Sequence, residues 1–141
     1  MLKRIKQTDE NLIKDIQEDG CLFLDFAEVS PLIFESVTGC WALNYLWEKA
    51  KEKKIIDKDN VVQDHTSLAH LFHIKAHYDG THHDAKEIIP SDVLFVFGLF
   101  EYKYTHFAII NKSKEVIFDS LGVSNTVKNG KLVSMRYYYA D

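Results

Sequence analysis

"YTHFAIINKSKEVIFDS", residues Tyr104 to Ser120, sets two short runs of β-branched and aromatic residues on either side of a polar turn, Asn111-Lys112-Ser113-Lys114. His106 opens the first run and Asp119 closes the second. The pattern predicts a β-hairpin. A two-residue loop at Lys112-Ser113 puts Asn111 opposite Lys114, and a four-residue loop from Asn111 to Lys114 puts Ile110 opposite Glu115. Both registers bring His106 opposite Asp119, whereas a three-residue loop shifts the pairing. Directly opposed Cβ atoms lie about 4.5–5.5 Å apart, close enough for a carboxylate to bond a ring nitrogen. An Asp that holds a His in one tautomer leaves the other nitrogen free for chemistry.

Outward from this hairpin, strands are expected at about 93–100, 104–111 and 115–119. Asn129-Gly130 reads as a second hairpin turn, with strands near 123–127 and 131–139. The first half of the chain reads as helical. Residues 9–18 form a short helix capped by Thr8 or Asp9, and Asp19-Gly20 breaks it. "CLFLDFAEV", from Cys21 to about Val29, is apolar nearly all round, the mark of a buried helix, and Pro31 limits it. "TGCWALNYLWEKAKEKKIID" is amphipathic, with Thr38 as N-cap and lysines in its last turns. A third helix is expected at about 66–76, followed by the polar loop "HYDGTHHDAKEIIPSD". Helices first and strands afterwards predict an α+β fold, with N-terminal helices packed on a C-terminal antiparallel sheet. No linker or repeat interrupts residues 1–141, so a single domain is expected.

Composition narrows the function. Hydrophobic residues make up 46% of the 141, enough for a core without staples. A net charge of -4 leaves no basic stripe for nucleic acid, and Glu52 interrupts the one basic run, Lys49 to Lys54. The N-terminal stretch "MLKRIKQTDENLIKDIQEDG" lacks the apolar segment of a secretory signal. No run approaches the roughly 18 apolar residues of a membrane span. A cytoplasmic protein with no nucleic-acid partner and no cofactor is the expectation. Two cysteines, Cys21 and Cys40, are too few for a disulfide framework and read as free thiols.

Cys21 follows a glycine break at the first turn of the buried helix. Unsatisfied N–H groups and the helix dipole favour negative charge there. Beside a protonated His, such a position lowers a thiol pKa from about 8.5 to about 3.5–7.5. The same N–H groups suit an oxyanion. Cys21, His106 and Asp119 therefore supply nucleophile, base and orienting acid. Each residue taken singly also has a bland role, as a packed thiol or a surface polar group.

A Gly-Cys opening a buried helix, a later "HFAII" strand and "VIFDS" on the next strand resemble the papain-like cysteine peptidases. The bacteriocin-processing (double-glycine leader) peptidase-like branch is the most similar arrangement, running Cys-led helix, His-led strand, Asp. The segment from Gly20 to Asp64 also resembles small phage- and plasmid-borne proteins of unknown function, spirochaete ones among them. The likeness spans about residues 15–122. It implies a papain-like fold, a peptide or protein substrate, and a triad of Cys21, His106 and Asp119. Gln17 is the nearest match to the family's oxyanion Gln, although it precedes the Cys by four residues rather than about six. Leu22 stands where the peptidases often have Gly, and Ser120 follows the Asp where Pro is usual. A related cell-wall amidase branch carries a second His as its third member, which Asp119 does not match.

Three alternatives stay open. Cys40, in "TGCWALNYLW", also starts a helix after Gly and echoes the papain Cys-Trp, but the apolar residues around it point to burial. A catalytically inactive papain-like binding module fits the departures around Cys21. His70, His73 and His77, at i, i+3 and i+7, would share one helical face and suit Zn²⁺ or Ni²⁺, though no HExxH accompanies them.

Overall fold

In the computed structural model, which describes residues 5–141, the elements run α1 (Lys14–Asp19), α2 (Cys21–Val29), α3 (Ser36–Glu52), α4 (His65–Leu71), β1 (Ala76–Tyr78), β2 (His83–Asp84), β3 (Phe95–Glu101), β4 (Thr105–Ile110), β5 (Val116–Phe118), α5 (Asn125–Asn129) and β6 (Lys131–Ala140). The first four residues of the N-terminal stretch lie outside the described residues. The fold is α+β, as its order of helices and strands predicts. One antiparallel sheet has the spatial order β1-β6-β3-β4-β5, and β2 also pairs with β6. No helix among the described residues is long and apolar enough to cross a membrane.

The apolar run "CLFLDFAEV" explains the packing. Leu22, Phe23, Leu24, Asp25 and Phe26 are all buried, so α2 meets protein on every side of its first turns. Phe23 lies edge-on to Trp47 of α3 and to Phe72 after α4, with centroids 5.1 and 5.0 Å away. Phe26 meets Phe97 of β3 and Tyr138 of β6 edge-on at 4.9 and 5.4 Å. One helix thus joins the helical layer to the sheet, and its first residue comes to rest against β4. The opposite sheet face, with Val96, Ala108, Ile110, Met135 and Tyr137, is covered by Ile89, Val93 and Val127 of α5.

Several boundaries differ from the sequence expectations, each for a local reason. Residues 9–12 form a turn rather than a helix, because the Asp9 carboxylate accepts the Asn11 N–H and its carbonyl accepts the Leu12 N–H. Helix α1 starts only after Ile13, whose N–H donates to Asn44 Oδ1 on α3. Thr38 lies inside α3, and Glu35 holds the N-cap position. Helix α4 is capped by Asp64, which accepts the Ser67 N–H, and it ends at Leu71. The polar loop contributes the short strand β2.

Asn129-Gly130 is not a hairpin turn. Ser124 caps a short helix by accepting the Val127 N–H, and Gly130 ends that helix. The capping hydroxyl and the helical turn outcompete the hairpin signal, because strand β6 already has β3 as its neighbour.

Candidate active site

Two short helices meet head to tail at Gly20, and this junction sets the position of Cys21. The Gly20 N–H donates to Ile16 O as the last bond of α1, and the Gly20 carbonyl accepts the Leu24 N–H as the first of α2. A Cβ at Gly20 would lie 2.5 Å from Ile16 O, so no larger residue allows this close approach. Cys21 therefore begins a nine-residue helix, with its first-turn N–H groups lacking partners from a preceding turn. Its thiol is half-buried.

The hairpin that carries the other two residues closes with three residues, not two or four. The Asn111 N–H donates to Glu115 O, and Lys114 takes a left-handed φ of 66°. Pairing then runs Ile110 with Val116 and Ile109 with Phe118, with a bulge between. His106 and Asp119 are thus not directly opposed, and Asp119 lies one residue past β5. A tight turn returns the carboxylate. The Gly122 N–H donates to Asp119 O, and Gly122 sits at φ +85°, where a side chain would be strained. Asp119 Oδ1 accepts the Leu121 N–H and Oδ2 accepts the Ser124 N–H. So fixed, Oδ1 also accepts His106 Nε2–H at 2.7 Å.

Ser120, standing where Pro is usual in the peptidases, donates its buried hydroxyl to Gln7 Oε1 and its carbonyl accepts the Gln7 N–H. This anchors the Asp119 turn to the N-terminal segment.

With Nε2 committed to Asp119, the other ring nitrogen is left for Cys21, which lines the same groove and favours the charged imidazole. Burial of His106 disfavours its charge, but the bond to Asp119 and the contact with Cys21 outweigh burial and raise its pKa to about 9. Burial of Asp119 works against its ionisation. The His106 bond and the Ser124 and Leu121 donors prevail and bring it down to about 2. An imidazolium-carboxylate pair is the consequence at neutral pH.

Cys40 has the opposite environment. It is fully buried in the core, and burial, with Asp9 nearby, pushes its thiol up to about 11. Gln17 does not join the site either. Its amide donates to Leu12 O and its carbonyl accepts from Gln7, so it ties α1 to the preceding turn. The histidine face does not form, because α4 ends before His73 reaches it. His73 takes φ 61°, and His70 and His77 both meet the Asp141 carboxylate at 3.0 and 3.2 Å. No group of three or more His, Cys, Asp or Glu among the described residues could hold a metal ion.

Three residues of the site escape a reading of local pattern. Asp25, one turn beyond Cys21, is fully buried with neither oxygen bonded. Burial, and then the negative fields of Cys21, Asp119 and Glu28, push its carboxyl well above the usual range. Its resistance to ionisation limits the negative charge beside Cys21. Its signal was an acid amid the apolar run of α2. His65 and Arg136 line the same groove as Cys21 and His106, a space of about 440 Å³. Burial, with Arg136 and His82 nearby, brings His65 down to about 4, so it is neutral at pH 7.

No curated protein and no solved structure matches the chain. One family model does, described as a protein of unknown function, DUF261, and it spans residues 1–140. With nearly its whole length matched, the chain belongs to the DUF261 family.

Proposed function

We propose that this chain is a papain-like cysteine peptidase or amide hydrolase. The observation that carries the proposal is His106, held on one nitrogen by Asp119 at 2.7 Å and sharing a groove with Cys21 at the head of a buried helix. In the reaction, the Cys21 thiolate attacks the carbonyl carbon of a peptide or amide, and the C=O electron pair moves to oxygen. The first-turn N–H groups of α2 receive that oxyanion. His106 gives its proton to the leaving nitrogen as the C–N bond breaks. Water, losing a proton to His106, then attacks the thioester and releases the acid and Cys21. Asp119 keeps the ring oriented and stabilises its charge whenever it carries the proton.

Thiol alkylation tests the nucleophile. A thiol of ordinary pKa, about 8.5, is only about 0.3% thiolate at pH 6. A full thiolate, even with the weaker intrinsic nucleophilicity of a low-pKa sulfur, gains about tenfold in rate. Cys21 should therefore react with iodoacetamide at pH 6 about tenfold faster than a free cysteine, and His106→Ala should remove the advantage. A rate equal to free cysteine in both proteins would end the proposal.

Gln17 being engaged elsewhere favours a second reading, a non-catalytic binding module on the same fold. A fluorogenic peptide-amide library separates the two. Turnover lost in Cys21→Ala supports the hydrolase, and a reactive thiol without turnover supports the module.

A further inference from the structure

The groove beside Cys21 contains a buried positive charge that the hydrolytic steps leave unused. We infer that Arg136 is the recognition residue for a carboxylate on the ligand that enters this groove. Calling that ligand a substrate rests on the hydrolase proposal, but the carboxylate site itself does not.

Arg136 sits on β6 with only 5% of its surface exposed, yet it lines the groove. A guanidinium carries five N–H donors. Two bonds are made, both from Nη1, to Ser134 Oγ at 2.9 Å and Met135 O at 3.3 Å. The donors on Nε and Nη2 meet no acceptor among the described residues. No carboxylate among them pairs with it, and burial works against its charge. A buried charge without a counter-ion is costly, and proteins ordinarily pair it. The Phe107 ring, 5.5 Å from the guanidinium carbon, holds the fork in place. The cation is thus largely buried and held at the wall of the groove, with donors to spare.

The shape and charge of the groove favour carboxylate over a more highly charged anion. A guanidinium fork matches the two oxygens of a carboxylate in a bidentate pair. Glu18, Asp19 and Asp59 also line the groove and repel a polyanion. They do not neutralise Arg136: Glu18 faces Lys14, and Asp19 accepts from Asn60. His65 is neutral at pH 7 and the charge of His106 is matched by Asp119, whereas the guanidinium has no such counter-charge among the described residues. A single carboxylate on an otherwise uncharged peptide suits both the guanidinium and the acidic lining. It can be an acidic side chain or a free carboxy-terminus, and the test distinguishes the two.

Calorimetric titration of the full chain carrying Cys21→Ala, which prevents turnover, reads the site directly. Three probes share one backbone: acetyl-Ala-Ala-Ala amide, acetyl-Ala-Ala-Ala with a free carboxylate, and acetyl-Ala-Glu-Ala amide. At least one acid should bind at least about tenfold tighter than the neutral amide, the effect of one charge-assisted hydrogen bond. Which acid wins identifies the source of the carboxylate. Arg136→Met should abolish the preference, and Arg136→Lys should retain part of it. Equal binding of all three probes, no binding by either acid, or a preference that survives Arg136→Met overturns the proposal. The wild-type residue decides the first two outcomes, so a variant that fails to fold does not blunt the test. Acid-selective binding alongside an unreactive Cys21 would sink the hydrolase and leave the carboxylate site standing.

Discussion

Asp119→Asn keeps the shape of the orienting residue and removes its charge. His106 titrates at about 9 in the fold against 6.5 ordinarily, so folding favours its protonated form. A raised folded pKa contributes stability that is fully present below about 6.5 and is lost as pH rises through about 9. At pH 7 that linkage amounts to about 2–3 kcal/mol. Burial opposes the charge and Asp119 leads the groups that offset it, so its removal should cost about 2 kcal/mol at pH 7. Unfolding entropy of about 2.1 cal/mol/K per residue then predicts a melting temperature about 7 °C lower. The gap should shrink at pH 10, where the imidazole is neutral with or without its partner. What remains there reflects the Leu121 and Ser124 N–H groups, which Asn satisfies less well. Melting by circular dichroism at the two pH values, with the His106 ring protons followed by NMR, reads both effects. In the variant the titration midpoint should fall to 6.5 or below. A melting point within about 2 °C of the parent at pH 7, or an equal deficit at pH 7 and pH 10, would refute the linkage.

Asp25→Asn should raise the melting temperature at pH 7. A raised acid pKa costs stability as pH climbs above the unfolded value, and the gain should therefore fade toward pH 4; a pH-independent change would contradict a buried neutral carboxyl. Gly20→Ala forces a Cβ against Ile16 O and should destabilise by about 1–3 kcal/mol while slowing alkylation of Cys21, as thermal melting and thiol kinetics would reveal. Phe26→Ala removes the ring between α2 and the sheet and should cost about 3–5 kcal/mol in denaturant unfolding, with a loss under 1 kcal/mol arguing against its central place. Cys40 should resist alkylation in the folded chain and react only on unfolding, since burial holds it at about 11; mass spectrometry of the labelled peptides distinguishes the two thiols.

Local chemistry was enough to find the pieces of this protein. An apolar run with no polar face could only be an interior helix, and Gly20 before it made Cys21 its first residue. Alternation around Asn111 to Lys114 marked the hairpin, and the order of helices and strands set the α+β class. Periodicity is a property of neighbours in the chain, so these elements were legible from the residues alone. Meetings between distant segments were not. His106 and Asp119 do touch, but through a bulge and a Gly122 turn that no alternation pattern encodes. The Asn129-Gly130 signal yielded to a Ser124 cap because β6 had another partner in the sheet. The histidines lost their common face once α4 ended at Leu71. Asp25 and Arg136 acquired their character only from burial, since a carboxyl or a guanidinium is ordinary in water and becomes chemically distinct when packing removes its solvent and supplies no counter-charge.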